Sequence, residues 1–238
     1  MQLFYNPSIT EKEPFFTFDR NESKHIVKVL RKRKGDEVWI TDGRGLRFQA
    51  KITDDHINHC SVELLSFHTT DVPNYKLHMA VAPTKMNDRF EWFLEKATEI
   101  GVHEITPVIC QRSERKTIKL DRMQRVVESA MKQSLQTYLP TLHAPVSLST
   151  FLAHSREGLK CIAHCEESER IALKDTIVCN KNVTILIGPE GDFDISELKK
   201  AYKAGYVPVS LGTTRLRTET AALVACSIVA TINEDEHG

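Results

Sequence analysis

The sequence predicts an α/β protein in two parts: a strand-rich region of about 75 residues, then strands that alternate with helices. Three observations predict it. Leu46, Phe48, Ala50 and Ile52 recur at every second position, the period of a strand with one buried face. Phe90, Phe93, Leu94 and Ala97 fall on one face of a helix. Val183-Thr184-Ile185-Leu186-Ile187 reads as a buried strand, as in a parallel sheet covered on both faces.

The first region holds a β-rich run at residues 38–41, a turn at Asp42-Gly43-Arg44-Gly45, and the alternating strand 46–52. Ser61-Val62-Glu63-Leu64-Leu65 is a further strand. Asp71-Val72-Pro73-Asn74 breaks regular structure, so the boundary between the parts is placed near Pro73. Residues 77–82 then form a strand; Asn87 or Asp88 caps the next helix and Gly101 stops it. Residues 105–110 are a strand, and Leu120, Met123, Val127, Ala130 and Met131 make the stripe of a long helix ending near Pro140. Residues 161–163 are a short apolar run. After the strand 183–187, Asp194 caps a helix with Glu197 at capping-box spacing, and Gly205 ends it. Residues 207–211 are a strand, and Thr218 caps a last helix reaching about Ile232. That helix is apolar almost all round, which requires burial by a sheet or by another subunit. No internal repeat is evident.

Composition narrows the function classes. A chain of 238 residues suits one large domain or a small one beside a medium one. With 41% hydrophobic and 27% charged residues it is neither collagen-like nor a long disordered tract. The longest nearly unbroken apolar run, 221–230, is half of the roughly 20 residues a membrane span needs, so no membrane association is expected. The first residues lack a basic segment followed by an apolar one, so no signal peptide is expected. The six cysteines are scattered without a Cys-x-x-Cys, which fits a reduced, cytoplasmic protein. Thirty-two basic residues balance 32 acidic ones, so any nucleic-acid binding must rest on a local patch.

Ligands in open α/β sheets sit beyond the carboxyl ends of the strands. Two such ends stand out: Gly188-Pro189-Glu190-Gly191 after Ile187, and Gly212 with Thr213 to Thr220 after Leu211. Neither is a P-loop, and no Gly-x-Gly-x-x-Gly follows a strand, so a phosphate cradle is not expected. The glycines suit plain tight turns and equally a close approach of backbone to ligand. On the second reading, Val at Gly188 or Gly212 blocks binding without unfolding the chain.

The stretch Ile187-Gly188-Pro189-Glu190-Gly191-Asp192-Phe193, then Leu211-Gly212 and Leu216-Arg217-Thr218-Glu219-Thr220-Ala221, resembles the RsmE family. These are SPOUT-class methyltransferases that methylate N3 of one uridine in 16S rRNA of the small ribosomal subunit. The resemblance covers the whole chain: His25 to Arg31 and Asp42-Gly43-x-Gly45 resemble its N-terminal region. Glu95 to Val102, Pro107, Arg112-Ser113, Lys132-Gln133-Ser134 and Pro140 resemble its catalytic domain. It departs at Asp192, where the family usually has a second Gly, at Leu135-Gln136, often Gly-Arg, and at Thr213-Thr214-Arg215, commonly Pro-Arg.

The resemblance implies a PUA-like RNA-binding β-barrel at residues 1–72 and a SPOUT-type trefoil-knotted α/β domain at 73–238. It also implies a homodimer and S-adenosyl-L-methionine bound by the knot loops, near Leu186, Ile187, Gly188, Glu190, Gly191, Leu211, Gly212, Leu216 and Thr220. The cofactor has no phosphate, which agrees with the missing P-loop, and its positive sulfonium suits acidic Glu190 and Glu219. Rival readings are a SPOUT enzyme acting on another RNA position, such as a ribose 2′-hydroxyl, and a non-catalytic RNA-binding assembly factor.

Uridine N3 is a weak nucleophile until it loses its proton, and the resulting charge spreads onto O2 and O4. The site therefore needs a proton acceptor and donors facing the carbonyl oxygens. Arg217 is the donor candidate, with a fixed fork of N–H groups. Glu219 is a candidate base, weighed against a plain role as a helix N-terminal charge. For RNA phosphates, Lys28, Arg31, Lys32, Arg33 and Lys34 cluster beside Asp36-Glu37, Arg44 extends the patch, and Arg112 adds a cation at a strand end. Lys96 is a further cation, set against simple pairing with Glu99. His56-x-x-His59-Cys60 and Cys161-x-x-His164-Cys165 have some metal-like spacing but no second ligand cluster, so no metal is expected.

Overall fold

A computed structural model of the chain describes residues 2–154, 157–166 and 169–234. Two compact units emerge. The first comprises residues up to Val72 together with Met131–Leu139, and the second comprises Pro73–Ala130 together with Pro140 onward.

The first unit is built from β1 (Leu3–Tyr5), β2 (Phe15–Thr17), α1 (Arg20–Lys24), β3 (Glu37–Thr41), β4 (Leu46–Asp54) and β5 (Ser61–Thr69). They form one sheet in the order β1-β3-β4-β5-β2, antiparallel except where β1 runs parallel to β3. The alternation in β4 buries Phe48, Ala50 and Ile52 among Phe4, Phe18, Ile26, Val38, Ile40 and Val62. The β3–β4 turn is held by Asp42, whose Oδ1 accepts the N–H groups of Arg44 at 2.8 Å and Leu46 at 3.0 Å. Gly43 and Gly45 take φ of 73° and 105° there, values that cost glycine nothing.

The Met131–Leu139 segment was not expected in this unit, because its sequence reads only as a helix end. Its backbone pairs with the β3–β4 turn: Gly45 N–H donates to Thr137 O, and Leu139 N–H donates to Gly43 O. The Thr137 hydroxyl donates to Thr70 Oγ1 at 2.8 Å, and the Tyr138 hydroxyl donates to Thr70 O at 3.0 Å.

The second unit follows the predicted alternation. Its elements are β6 (Leu77–Val81), α2 (Asn87–Ile100), β7 (Glu104–Ile109), α3 (Leu120–Gln133, whose end belongs to the first unit), β8 (Thr141–Leu142), β9 (Val146–Ser147) and α4 (Leu148–Ala153). Then come β10 (Leu159–Ala163), β11 (Ile171–Ala172), α5 (Leu173–Thr176), β12 (Val183–Ile187), α6 (Ile195–Lys203), β13 (Val207–Ser210) and α7 (Thr218–Glu234). The strand order is β11-β13-β10-β12-β6-β7-β8, with every neighbouring pair parallel and β9 also pairing with β7. β6 and β12 are buried at every position, as strands in the middle of a covered sheet should be. One core layer gathers Val108, Phe151, Ile162, Leu186, Phe193 and Leu198. Elsewhere α7 packs on α2, α5, β6 and β12, which buries Ala222, Ala225, Cys226, Val229 and Ala230 of its apolar circumference.

Three local expectations are corrected. Neither Asn87 nor Asp88 caps α2: the cap position is Met86, without a side-chain bond, and Asp88 Oδ1 accepts instead from the N–H of Arg89. The long helix stops at Gln133, because Leu135 turns left-handed at φ 60°. Thr218 is the first residue of α7, and its hydroxyl donates to Gly188 O at 3.0 Å rather than accepting a helix N–H. The Asp194–Glu197 capping box is present as expected. Among the described residues no helix is long and apolar enough to cross a membrane.

Candidate active site

β13, β10 and β12 lie side by side in that order, so their carboxyl ends open together. A cavity of about 330 Å³ lies there, within the range of small-molecule sites. Its walls come from three strand exits: Ala163-His164-Cys165 after β10, Ile187 to Glu190 after β12, and Val209 to Gly212 after β13. The segment Thr214–Thr218 and Ala221 of α7 complete it.

The exits are tied to one another. Asp192 accepts the N–H of Cys165 on Oδ2 and that of Phe193 on Oδ1, both at 2.8 Å. Its φ of 62° is left-handed, which Asp tolerates better than most residues; this is the position where a glycine is usual. His164 is buried and shares a 2.9 Å hydrogen bond between Nε2 and the Tyr202 hydroxyl. Burial lowers its pKa, so the ring is neutral at neutral pH.

Of the residues singled out in the sequence, Ile187, Gly188, Glu190, Leu211, Gly212, Leu216 and Arg217 line this cavity. Leu186 instead packs in the core layer, Thr220 stands in the first turn of α7, and Gly191 accepts a 3.1 Å hydrogen bond from Arg112 on its carbonyl. Gly188 has a reason of its own: a Cβ there would lie 2.9 Å from the buried ring of Phe193. The expectation that Val at Gly188 leaves the fold intact is therefore corrected, since the added atoms press into packed core. Gly212 has open space, but its φ of 143° strains any other residue.

The wall is apolar at Ala163, Ile187, Val209, Leu211 and Leu216, acidic at Glu190 and Asp192, and cationic at Arg170, Arg215 and Arg217. Such a lining suits a flat heterocycle with a positive centre.

Residues 71–230 match the family described as RNA methyltransferase domain, and residues 18–65 match the RNA methyltransferase PUA domain. The Ribosomal RNA small subunit methyltransferase E of Bacillus subtilis (strain 168) is 28% identical over 240 residues, covering 92% of this chain and 91% of that protein. The crystal structure of the same-named protein from Neisseria gonorrhoeae, bound to S-adenosyl methionine, aligns with TM-score 0.87 at 28% identity over 98% of both chains. The chain belongs to the RsmE family. A protein from Porphyromonas gingivalis, described as a probable rRNA-methyltransferase, aligns with TM-score 0.91 at 40% identity, covering 99% of this chain and 100% of that one.

In this RsmE chain the remaining candidates are placed as follows. Arg217 is exposed on the cavity wall, and its guanidinium makes no ion pair or hydrogen bond among the described residues. Glu219 does not line the cavity; it is buried in the first turn of α7, with Arg89 Nε 3.9 Å from Oε1 and no hydrogen-bond partner for Oε2. That placement fits a helix-terminal charge better than a base. Arg112 is pinned by Gly191 O and by Asp194 Oδ2 at 3.4 Å. Lys96 pairs with Glu95 and Glu99, the plain alternative.

The basic run of this RsmE chain leaves α1 through a π-helical turn at His25–Val29, and Arg31 then turns left-handed at φ 57°. Lys28, Arg31 and Lys34 are exposed, while Arg33 faces Asp55 at 3.8 Å. Arg44 is held by Asp42 at 3.2 Å and by Pro7 O at 3.0 Å. Among the cavity-lining residues that the sequence reading did not assign to the site, His164, Cys165 and Arg170 follow β10. Their one signal was the short apolar run at residues 161–163, whose place beside β12 only the sheet order reveals.

Proposed function

We propose that this chain transfers the methyl group of S-adenosylmethionine to N3 of one uridine in 16S rRNA of the small ribosomal subunit. The observation that carries this reading is the cavity at three adjacent parallel strand ends, with the exposed guanidinium of Arg217 on its wall, unpaired among the described residues. Glu190 and Asp192 suit the sulfonium, and Ile187, Leu211 and Leu216 suit the adenine faces. The cofactor supplies an electrophilic methyl carbon and a neutral thioether leaving group. As N3 loses its proton to solvent, Arg217 donates to the uracil carbonyl on which charge builds, and that donation favours the nucleophilic anion.

In this reading the first unit holds RNA, and Lys28, Arg31, Arg33 and Lys34 neutralise its phosphates. The path of the second unit supports a trefoil knot: β13 pairs with β10 on the side away from β12, and α7 then packs back on β6 and β12. A homodimer uses the α7 region, where Leu223, Val224 and Ile228 remain only half-buried. The chain works in the cytoplasm, where the small subunit is assembled.

Incubating the protein with undermethylated small subunits and labelled S-adenosylmethionine, then mapping the labelled base, tests the assignment. Label on uridine N3 is expected; label on a ribose, or none, overturns it. Arg31→Ala combined with Arg33→Ala is expected to raise the apparent KM for small subunits about tenfold and to flatten its salt dependence, with kcat at saturation unchanged. Steady-state kinetics across a salt series check this. The Arg33–Asp55 pair is exposed, so its loss should barely affect stability.

A further inference from the structure

At the amino-terminal half of the same sheet, away from the strand exits that form the cavity, three metal-ligating side chains converge. His78 and Glu104 are register partners on β6 and β7, and His143 follows β8, with its N–H bonded to Ile105 O. One ligand atom from each lies within 4.8 Å of the others. Glu104 Oε2 is 3.0 Å from His143 Nε2 and 3.8 Å from His78 Nδ1. Ligand atoms around a tetrahedral zinc ion, each about 2.0–2.1 Å from it, lie roughly 3.3 Å apart. The two measured spacings bracket that value.

We propose that His78, Glu104 and His143 bind a divalent transition-metal ion, with Zn²⁺ as the best match.

A simple ion pair needs one imidazole per carboxylate. Here two imidazoles meet one carboxylate oxygen, with ring centroids 5.6 Å apart, so protonating both would place like charges side by side. One dication serves both rings while they stay neutral. His78 is also held as a ligand should be: its Nε2 lies 2.8 Å from Thr106 Oγ1, and the Phe151 ring edge packs at 5.6 Å. That hydroxyl occupies the second ring nitrogen and leaves Nδ1 toward the carboxylate, the usual outer-shell arrangement for a metal-bound histidine. Two imidazoles and one carboxylate make a borderline donor set that leaves one coordination position for water.

The ion would act as a clip. Glu104 and His143 are 39 residues apart, and the chain between them includes the segment that belongs to the first unit. Closing a loop of that length from outside the reaction site gives the metal a structural role. The spacing motif at His56 and His59 is different: those rings stack at 3.5 Å, and neighbouring Cys60 is buried, with burial raising its pKa to about 11.

The test is calorimetric titration of the full-length protein, stripped of metal by chelator, with ZnCl₂. Wild type is expected to take up one Zn²⁺ per chain with Kd of about 10 µM or tighter. His143→Ala and Glu104→Gln should each weaken binding at least tenfold, and Thr106→Val should weaken it within the ~10–100-fold range typical of outer-shell partners. The double variant His56→Ala plus His59→Ala should bind like wild type. S-adenosylmethionine binding, measured on each variant, identifies those that keep the fold. A wild-type Kd above about 100 µM, or less than tenfold weakening in every folded variant of His143 and Glu104, overturns the site.

Discussion

Arg217→Ala is expected to lower kcat by about 10²–10³ while leaving affinity for S-adenosylmethionine within about twofold. The size follows from what the guanidinium is asked to do. N3 of uridine becomes nucleophilic only as its proton leaves, and a donor at O2 or O4 is needed most when that charge has developed. Such a donor contributes about 3–4 kcal/mol to the transition state and little to the ground state. The competing role, a structural partner for a nearby carboxylate, has little support: the Arg217 side chain pairs with none of the described residues, although Glu219 is two positions away and buried. The variant should therefore melt like wild type. Single-turnover methylation with saturating small subunits, alongside thermal unfolding, separates the two roles. A melting shift with kcat retained would assign Arg217 to the fold.

The second large effect is on stability. Phe193→Ala should destabilise the second unit by about 3–5 kcal/mol, the usual cost of emptying a fully buried aromatic site. At roughly 2–4 °C per kcal/mol for a unit of this size, the melting temperature falls by about 6–20 °C. Phe193 is fully buried among Leu186, Leu198 and Ala201, and its ring fills the space beneath Gly188. It thus sets the height of the cavity floor. Cofactor binding should weaken along with stability, since the β12 exit can sink into the vacated volume. Calorimetric unfolding with and without S-adenosylmethionine measures both effects.

These two residues show how much could be read in advance. Arg217 sits in a local motif, and local motifs are visible in a string of letters. So were β12, written as four apolar residues around Thr184, and the α6 cap, written as Asp194 and Glu197 at fixed spacing. The role of Gly188 was not visible, because the atom it makes room for lies five residues on and across a turn. The β10 contribution was hidden by strand order: Ala163, Ile187 and Val209 share a sheet level only because β10 pairs with both β12 and β13. His78, Glu104 and His143 escaped for the same reason, being brought together by strand register and not by spacing. Local chemistry was legible, whereas pairing between distant strands was not.

The return of Met131–Leu139 to the first unit has a consequence for synthesis. A protein made from its amino terminus can usually fold its leading domain while the rest is still being translated. Here the β3–β4 turn waits for Tyr138 and Leu139, whose ring and backbone cover Gly45 and Gly43. At about 5–20 residues per second, several seconds pass between emergence of Val72 and of Leu139. During that interval the nascent chain exposes the hydrogen-bonding edge of the turn and the Thr70 groups that Thr137 and Tyr138 later satisfy. Maturation of the amino-terminal unit is therefore coupled to delivery of β6, α2, β7 and α3, and a ribosome stalled before residue 139 carries an unfinished amino-terminal unit.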